Sequence, residues 1–190
     1  CISDKNGYYV NDKQNGGALY IHGAATLKIK ASQFNDNYAG IGGAIFTNKD
    51  GDNYPTVFLN TCSFSGNYVQ YRYGAAINID HASYFCMNNS SFANNHYVNL
   101  TSGGDGLKAS WIALDGIQNC SVISNCSLIG RTWRYNDEPV TTNNALIGLW
   151  NAKQTYQVND LIILDTNGSS FSPLRGYNES PLQAVTAYYT

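Results

Sequence analysis

The chain has 190 residues, with 43% hydrophobic and 13% charged side chains and a net charge of -2 from 13 acidic and 11 basic groups. That is enough apolar material for one core, which argues against disorder, and the dispersed charge leaves no footprint for nucleic acid or an anionic membrane surface. No apolar run approaches the roughly eighteen residues of a spanning helix. The composition is skewed toward 15 Tyr, 18 Gly and 24 Asn against one Met, a mixture of strand and turn formers that points to an all-β extracellular protein.

In chain order, Cys1 precedes Asp4-Lys5-Asn6-Gly7, a segment similar to the polar turn that closes each later unit, so the chain is expected to be cut or processed from something longer. Two short motifs then recur in the same order. Gly-Gly-Ala plus an aliphatic residue stands at Gly16–Leu19 and Gly42–Ile45, and as Gly-Ala-Ala-Ile at Gly74–Ile77. Phe-x-x-Asn follows each time, at Phe34–Asn37, Phe64–Asn67 and Phe92–Asn95. Alanine to phenylalanine measures 16, 20 and 16 positions, and the extra residues of the second unit fit in the polar stretch Asn48–Pro55. A period near thirty residues, made of short apolar runs and polar turns, is the mark of a solenoid.

Before each phenylalanine the sequence alternates: Leu27-Lys28-Ile29-Lys30, Val57-Phe58-Leu59-Asn60 and Phe85-Cys86-Met87-Asn88. The period of two predicts a strand with one buried face, and three short strands per turn are expected. Ala113 to Leu128 and Ala145 to Leu161 are fainter copies, with Ile117, Ile123, Leu146, Leu149, Tyr156 and Val158 as candidate core. Thr101–Asp105 and Arg131–Thr142 are expected loops. Pro173, Gly176 and Pro181 break the pattern, so 168–190 is expected to be an irregular capping tail. The whole, 1–190, is expected to form one all-β domain, a right-handed single-stranded parallel β-helix of about five coils.

In such a stack like residues lie above like. Phe34, Phe64 and Phe92 would form an inner column continued by Leu128 and Leu161, and Asn37, Asn67 and Asn95 a corner ladder of side-chain amides. Of the five cysteines, Cys62 and Cys126 fall at equivalent places two coils apart. At about 9.6 Å, twice the inter-strand spacing, they are out of disulfide reach. Most of the cysteines, with Cys1, Cys86 and Cys120, are expected to be buried free thiols, and their spacing suits neither a zinc site nor a redox pair. No catalytic residue, cofactor or metal is implied.

These paired motifs resemble the repeats of the polymorphic outer membrane proteins, closely over 15–95 and weakly over 96–190. The resemblance implies a parallel β-helix exposed outside the cell, used for adhesion or as a stalk. The chain departs from that family in its lower repeat number and in containing no translocating barrel. Sequons of the form Asn-x-Ser/Thr stand at Asn88, Asn89, Asn99, Asn119, Asn125, Asn167 and Asn178. Roughly 3.5 would arise by chance from this composition; a β-helix that places Asn and Ser at its corners accounts for the excess, and a glycosylated eukaryotic secretory product is the alternative. Asn99, Asn167 and Asn178 lie in loop-like sequence, whereas Asn119 and Asn125 flank strand residues and should be less accessible.

An enzymatic alternative rests on carboxylates brought together by adjacent coils. Asp80, Asp115 and Asp160 are candidates for polysaccharide cleavage, but their offsets from the alanine anchors, four, two and fifteen, do not require a shared face. His22 and His81, at offsets four and five, belong to solvated turns. Trp111, Trp133 and Trp150 could offer platforms to sugar rings, or pack between sheet and loop. The expected function is an extracellular structural or adhesive β-helix that joins end to end into a filament, with self-association, other surface proteins or glycans as partners. The alternative is a polysaccharide-processing or carbohydrate-binding β-helix.

Overall fold

The computed structural model describes residues 1–4, 6, 15–69, 73–97, 110–119, 121–130, 145–151, 156–165 and 172–177. Every described element is a strand. After β1 (Ile2–Asp4), a first rung is built from β2 (Leu19–His22), β3 (Thr26–Lys30), β4 (Gln33–Asn35) and β5 (Tyr38–Ala39). The second is β6 (Ile45–Asn48), β7 (Thr56–Asn60), β8 (Ser63–Ser65) and β9 (Tyr68–Val69). The third is β10 (Ile77–Asp80), β11 (Tyr84–Asn88), β12 (Ser91–Ala93) and β13 (His96–Tyr97). The fourth holds β14 (Ser110–Asp115), β15 (Ser121–Ser124) and β16 (Ser127–Gly130), and the fifth β17 (Ala145–Trp150), β18 (Tyr156–Asn159) and β19 (Ile162–Asp165), followed by β20 (Ser172–Tyr177).

Equivalent strands pair in parallel from rung to rung. The resulting sheets run β1-β4-β8-β12-β16-β19, β2-β6-β10-β14-β17-β20, β18-β15-β11-β7-β3 and β13-β9-β5. This is a parallel β-solenoid, in which each rung contacts only its neighbours. Among the described residues no helix is long and apolar enough to cross a membrane.

The alternation read from sequence is the burial pattern of the strands. Val57 and Leu59 on β7, and Phe85 and Met87 on β11, are buried, while the residues between them are half-buried. Tight corners join the strands where single residues take left-handed backbone: Ala31, Thr61, Asn89, Asn125 and Asp160 all have φ between +49° and +56°. Asn and Asp tolerate that conformation at small cost, which accounts for part of the asparagine excess. Gly43 serves a different need, because a Cβ there would lie 2.1 Å from the Ala75 backbone oxygen.

Four readings of the sequence need correction. The first three rungs carry a fourth, two-residue strand after the asparagine corner, which the apolar pattern was too short to signal. The fourth-rung anchor is Trp111, not Ala113: Ala44 N–H donates to the Ala76 carbonyl and Ala76 N–H to the Trp111 carbonyl. The fifth-rung anchor is correspondingly Leu146, and Leu128 pairs with Ile163, so Leu161 continues the column of Cys126 and not that of the phenylalanines. Lastly, Ser172–Tyr177 within the expected irregular tail is a strand paired with β17. Pro173 is compatible with this edge, where its missing N–H interrupts no ladder on the outer side. The expected loops at 101–105 and 131–142 lie outside the described residues, as do Cys120, Trp133, Asn99, Asn167 and Asn178.

Candidate functional site

The motif residues form the spine. Phe34, Phe64 and Phe92 stack with ring centroids 4.9 and 4.8 Å apart and interplanar angles of 4° and 9°. Beside them Asn67 Nδ2 donates to Asn95 Oδ1 at 3.0 Å, and Asn37 Nδ2 to Asn67 Oδ1 at 2.9 Å. The same oxygens accept the backbone N–H of the residue one rung back, and the Asn67 and Asn95 amides also donate to the carbonyls of Phe34 and Phe64. Asn6 extends the ladder by one step, donating to Asn37 Oδ1 at 3.0 Å. Tyr38, Tyr68 and His96, each one residue after a ladder asparagine, stack in a column of their own at 4.7 and 5.1 Å. A recurring aromatic at that position is the signal that could have revealed it.

The sulfur groups follow the same geometry. Ser90 stands between Cys62 and Cys126 in the stack, and all four described cysteines are free. Cys62 and Cys126 are buried, Cys86 is half-buried and Cys1 exposed, so burial of the thiols is less general than expected. Burial pushes the Cys126 thiol up to about 11 and raises Cys62 as well, leaving both protonated and inert.

The corner after β10 gathers the polar chemistry. With Trp111 as the anchor, Asp115 sits at the same offset as Asp80, and the two are register partners on adjacent rungs, which the offsets counted from Ala113 did not require. His81 Nδ1 contacts Asp80 Oδ1, and the His81 N–H donates to the Asp115 carbonyl at 2.8 Å. Asn151 Nδ2 donates to Asp115 Oδ1 at 2.8 Å. Burial raises the Asp80 carboxyl above its ordinary range; the neighbouring His81 and Lys49 pull it down, and Asp115 pushes it further up. His22 heads the same column through Asn48, one position from that of His81. Asp160 is at a different corner, next to Asn125. Among the described residues no group of three or more His, Cys, Asp or Glu is arranged to hold a metal ion.

Two cavities lie away from these carboxylates. One of about 570 Å³ runs along the corner of Asn89, Asn125 and Asp160, edged by Cys126 and Ile162. The other, of about 360 Å³, opens at the start of the stack between Cys1, Ser3, Leu19, Ile29 and Phe34. Trp111 and Trp150 do not form sugar platforms. Trp111 is fully buried in the main core, and Trp150 is buried over Ala113 with the Tyr73 ring 4.8 Å away. Of the sequons, Asn89, Asn119 and Asn125 are exposed, the latter two against expectation, because the corner turns them outward. Asn88 is half-buried, with Nδ2 donating to Cys86 Sγ and Oδ1 accepting from Ser124.

The two ends of the stack differ. Leu19, Ile21, Leu27 and Ile29, the inward residues of β2 and β3, are only half-buried, whereas their partners Ile45, Thr47, Val57 and Leu59 are buried. β1 covers β4 but neither β2 nor β3. At the far end Tyr156, Val158 and Leu161 are buried. Comparison with protein families, with curated proteins and with solved structures finds no match to this chain.

Proposed function

We propose that the chain is an extracellular structural or adhesive module, a rigid β-solenoid that assembles end to end with its neighbours. The observation that carries this reading is that Gly43, the phenylalanine column and the asparagine ladder each have a complete structural task, while the first rung leaves its inner face half-open. The paired motifs, similar to those of bacterial surface β-helices, and the sequons support an exported location. Antibodies raised against the chain should label the surface of intact source cells. Labelling only after permeabilisation would sink the proposal.

A second reading is favoured by one observation, the juxtaposition of Asp80 and Asp115. A carboxylic acid with raised pKa facing a second carboxylate across one rung is the arrangement needed for acid-assisted glycoside cleavage. Reducing-end release from a panel of polysaccharides, abolished by Asp80→Asn, is the outcome this reading requires.

A further inference from the structure

We propose that the corner built from Asn89, Asn125 and Asp160 is a binding groove for an extended, neutral polysaccharide lying along the solenoid axis. It stands on a different corner from Asp80 and Asp115, and it depends neither on that pair nor on where the protein is exported. The three residues take left-handed backbone, with φ of +52°, +51° and +52°. They lie one above another, because the Asn89 N–H donates to the Ser124 carbonyl at 3.1 Å and the Asn125 N–H to the Asn159 carbonyl at 3.2 Å. All three are exposed. Two positions further on, Ser91, Ser127 and Ile162 are register partners that form a second column on β12, β16 and β19. Between the columns runs the cavity of about 570 Å³, inside the range of roughly 300–1,000 Å³ typical of small-ligand sites.

The lining fixes what can dock. Polar groups repeat along the groove at the rung spacing of about 4.8 Å, close to the length of one sugar unit in an extended chain, so successive units meet successive corners. The inner ladder asparagines have their amides spent on one another. Here the side chains of Asn125, Asp160, Ser91 and Ser127 have no hydrogen-bond partner among the described residues, and Asn89 makes one bond of 3.3 Å to Asn60 Oδ1. Amides and hydroxyls both donate and accept, which matches the hydroxyl edge of a sugar. Ile162, 49% exposed, supplies an apolar surface for the face of a ring.

Charge and backbone exclude the other occupants. Asp160 brings one carboxylate to the groove and no cation lines it, so phosphate, sulfate and uronate groups find repulsion there and no counter-charge. The strands beside the groove pair with one another across its three rungs, which leaves no main-chain edge within it for a peptide strand. The matching ligand is an uncharged chain of sugars that stays straight over three units.

The probe is cellotetraose, neutral and extended, titrated into the isotope-labelled chain. Maltotetraose, which coils, and tetragalacturonate, which is extended but anionic, are the controls. Cellotetraose should shift the side-chain amide resonances of Asn89 and Asn125 saturably, with each control at least about fivefold weaker. Asn125→Gly removes the central amide and keeps a residue at ease at φ +51°, so the corner survives; it should weaken cellotetraose binding about fivefold, the loss expected for one hydrogen-bonding group. No saturable shift, equal binding of either control, unchanged affinity in Asn125→Gly, or shifts confined to other corners would overturn the proposal. So would an N-linked glycan on Asn89 or Asn125 in protein taken from the source cells, because its first sugar would fill the groove. Surface labelling and reducing-end release are read independently of this corner, so failure here leaves both functional readings standing.

Discussion

Replacing Asn67 by alanine tests whether the corner ladder, rather than the apolar core alone, holds successive rungs in register. Asn67 is fully buried and makes four side-chain bonds, donating to the Phe34 carbonyl at 2.8 Å and Asn95 Oδ1 at 3.0 Å and accepting the Asn37 N–H at 3.0 Å and Asn37 Nδ2 at 2.9 Å. Truncation strands the Asn37 N–H and one Asn37 amide hydrogen. The Phe34 carbonyl keeps the Ser65 N–H of the β4–β8 ladder and Asn95 Oδ1 keeps the Asn67 backbone N–H, so neither is orphaned. Each buried group left unpaired costs about 1–3 kcal/mol, and since the two share one site their sum is less than additive, giving about 2–4 kcal/mol.

The assay is equilibrium urea unfolding followed by tyrosine and tryptophan fluorescence, with Asp52→Ala as an exposed turn control expected within about 0.5 kcal/mol of the parent. A loss below about 1 kcal/mol for Asn67→Ala would refute the ladder argument, since it would mean that water or rearranged backbone satisfies both groups. Asn67→Asp is a sharper variant. It keeps both acceptor bonds but aims oxygen at the Phe34 carbonyl and Asn95 Oδ1, so it should be at least as damaging at neutral pH and partly recover in acid, where the carboxyl regains a donor hydrogen.

The remaining predictions concern other parts of the stack. Gly43→Ala should lower stability by more than about 2 kcal/mol in thermal unfolding, because the new Cβ meets the Ala75 carbonyl; Gly51→Ala, in open space at φ +56°, should cost only about 1 kcal/mol. Asp80 has a raised carboxyl in the fold, so the native state binds the proton more tightly than the unfolded chain; its contribution is full below the ordinary carboxyl range and fades as pH rises through the native titration. Asp80→Asn should flatten that decline in a pH series of unfolding free energies, and an unchanged slope would reject the assignment. In native protein at pH 8, alkylation followed by mass spectrometry should label Cys1 and leave Cys62 and Cys126 intact, with all of them reacting after denaturation.

How much of this was legible follows from the physics of each residue. Phe34, Phe64 and Phe92 could be found because they recur at a fixed distance before the asparagine of the polar corner. Trp111 could not, because the fourth rung keeps only shape: Ser110 and Trp111 occupy the places of Ala75 and Ala76, and no side-chain type links them. That slip of two positions hid the pairing of Asp80 with Asp115, which appears once the backbone ladder sets the register. The open edge of β3 was equally invisible as a difference, since the pattern of Leu27-Lys28-Ile29-Lys30 is that of any half-buried strand. Only the comparison of its burial with that of β7 and β11 shows the difference.

A solenoid makes such end effects large. Each rung is stabilised by two neighbours, so an end rung with one neighbour keeps roughly half of the interface stabilisation that inner rungs enjoy. The aliphatic residues of β2 and β3 are as apolar as those one rung in, yet remain half-exposed, so hydrophobic stabilisation is still to be gained there by any strand that can approach.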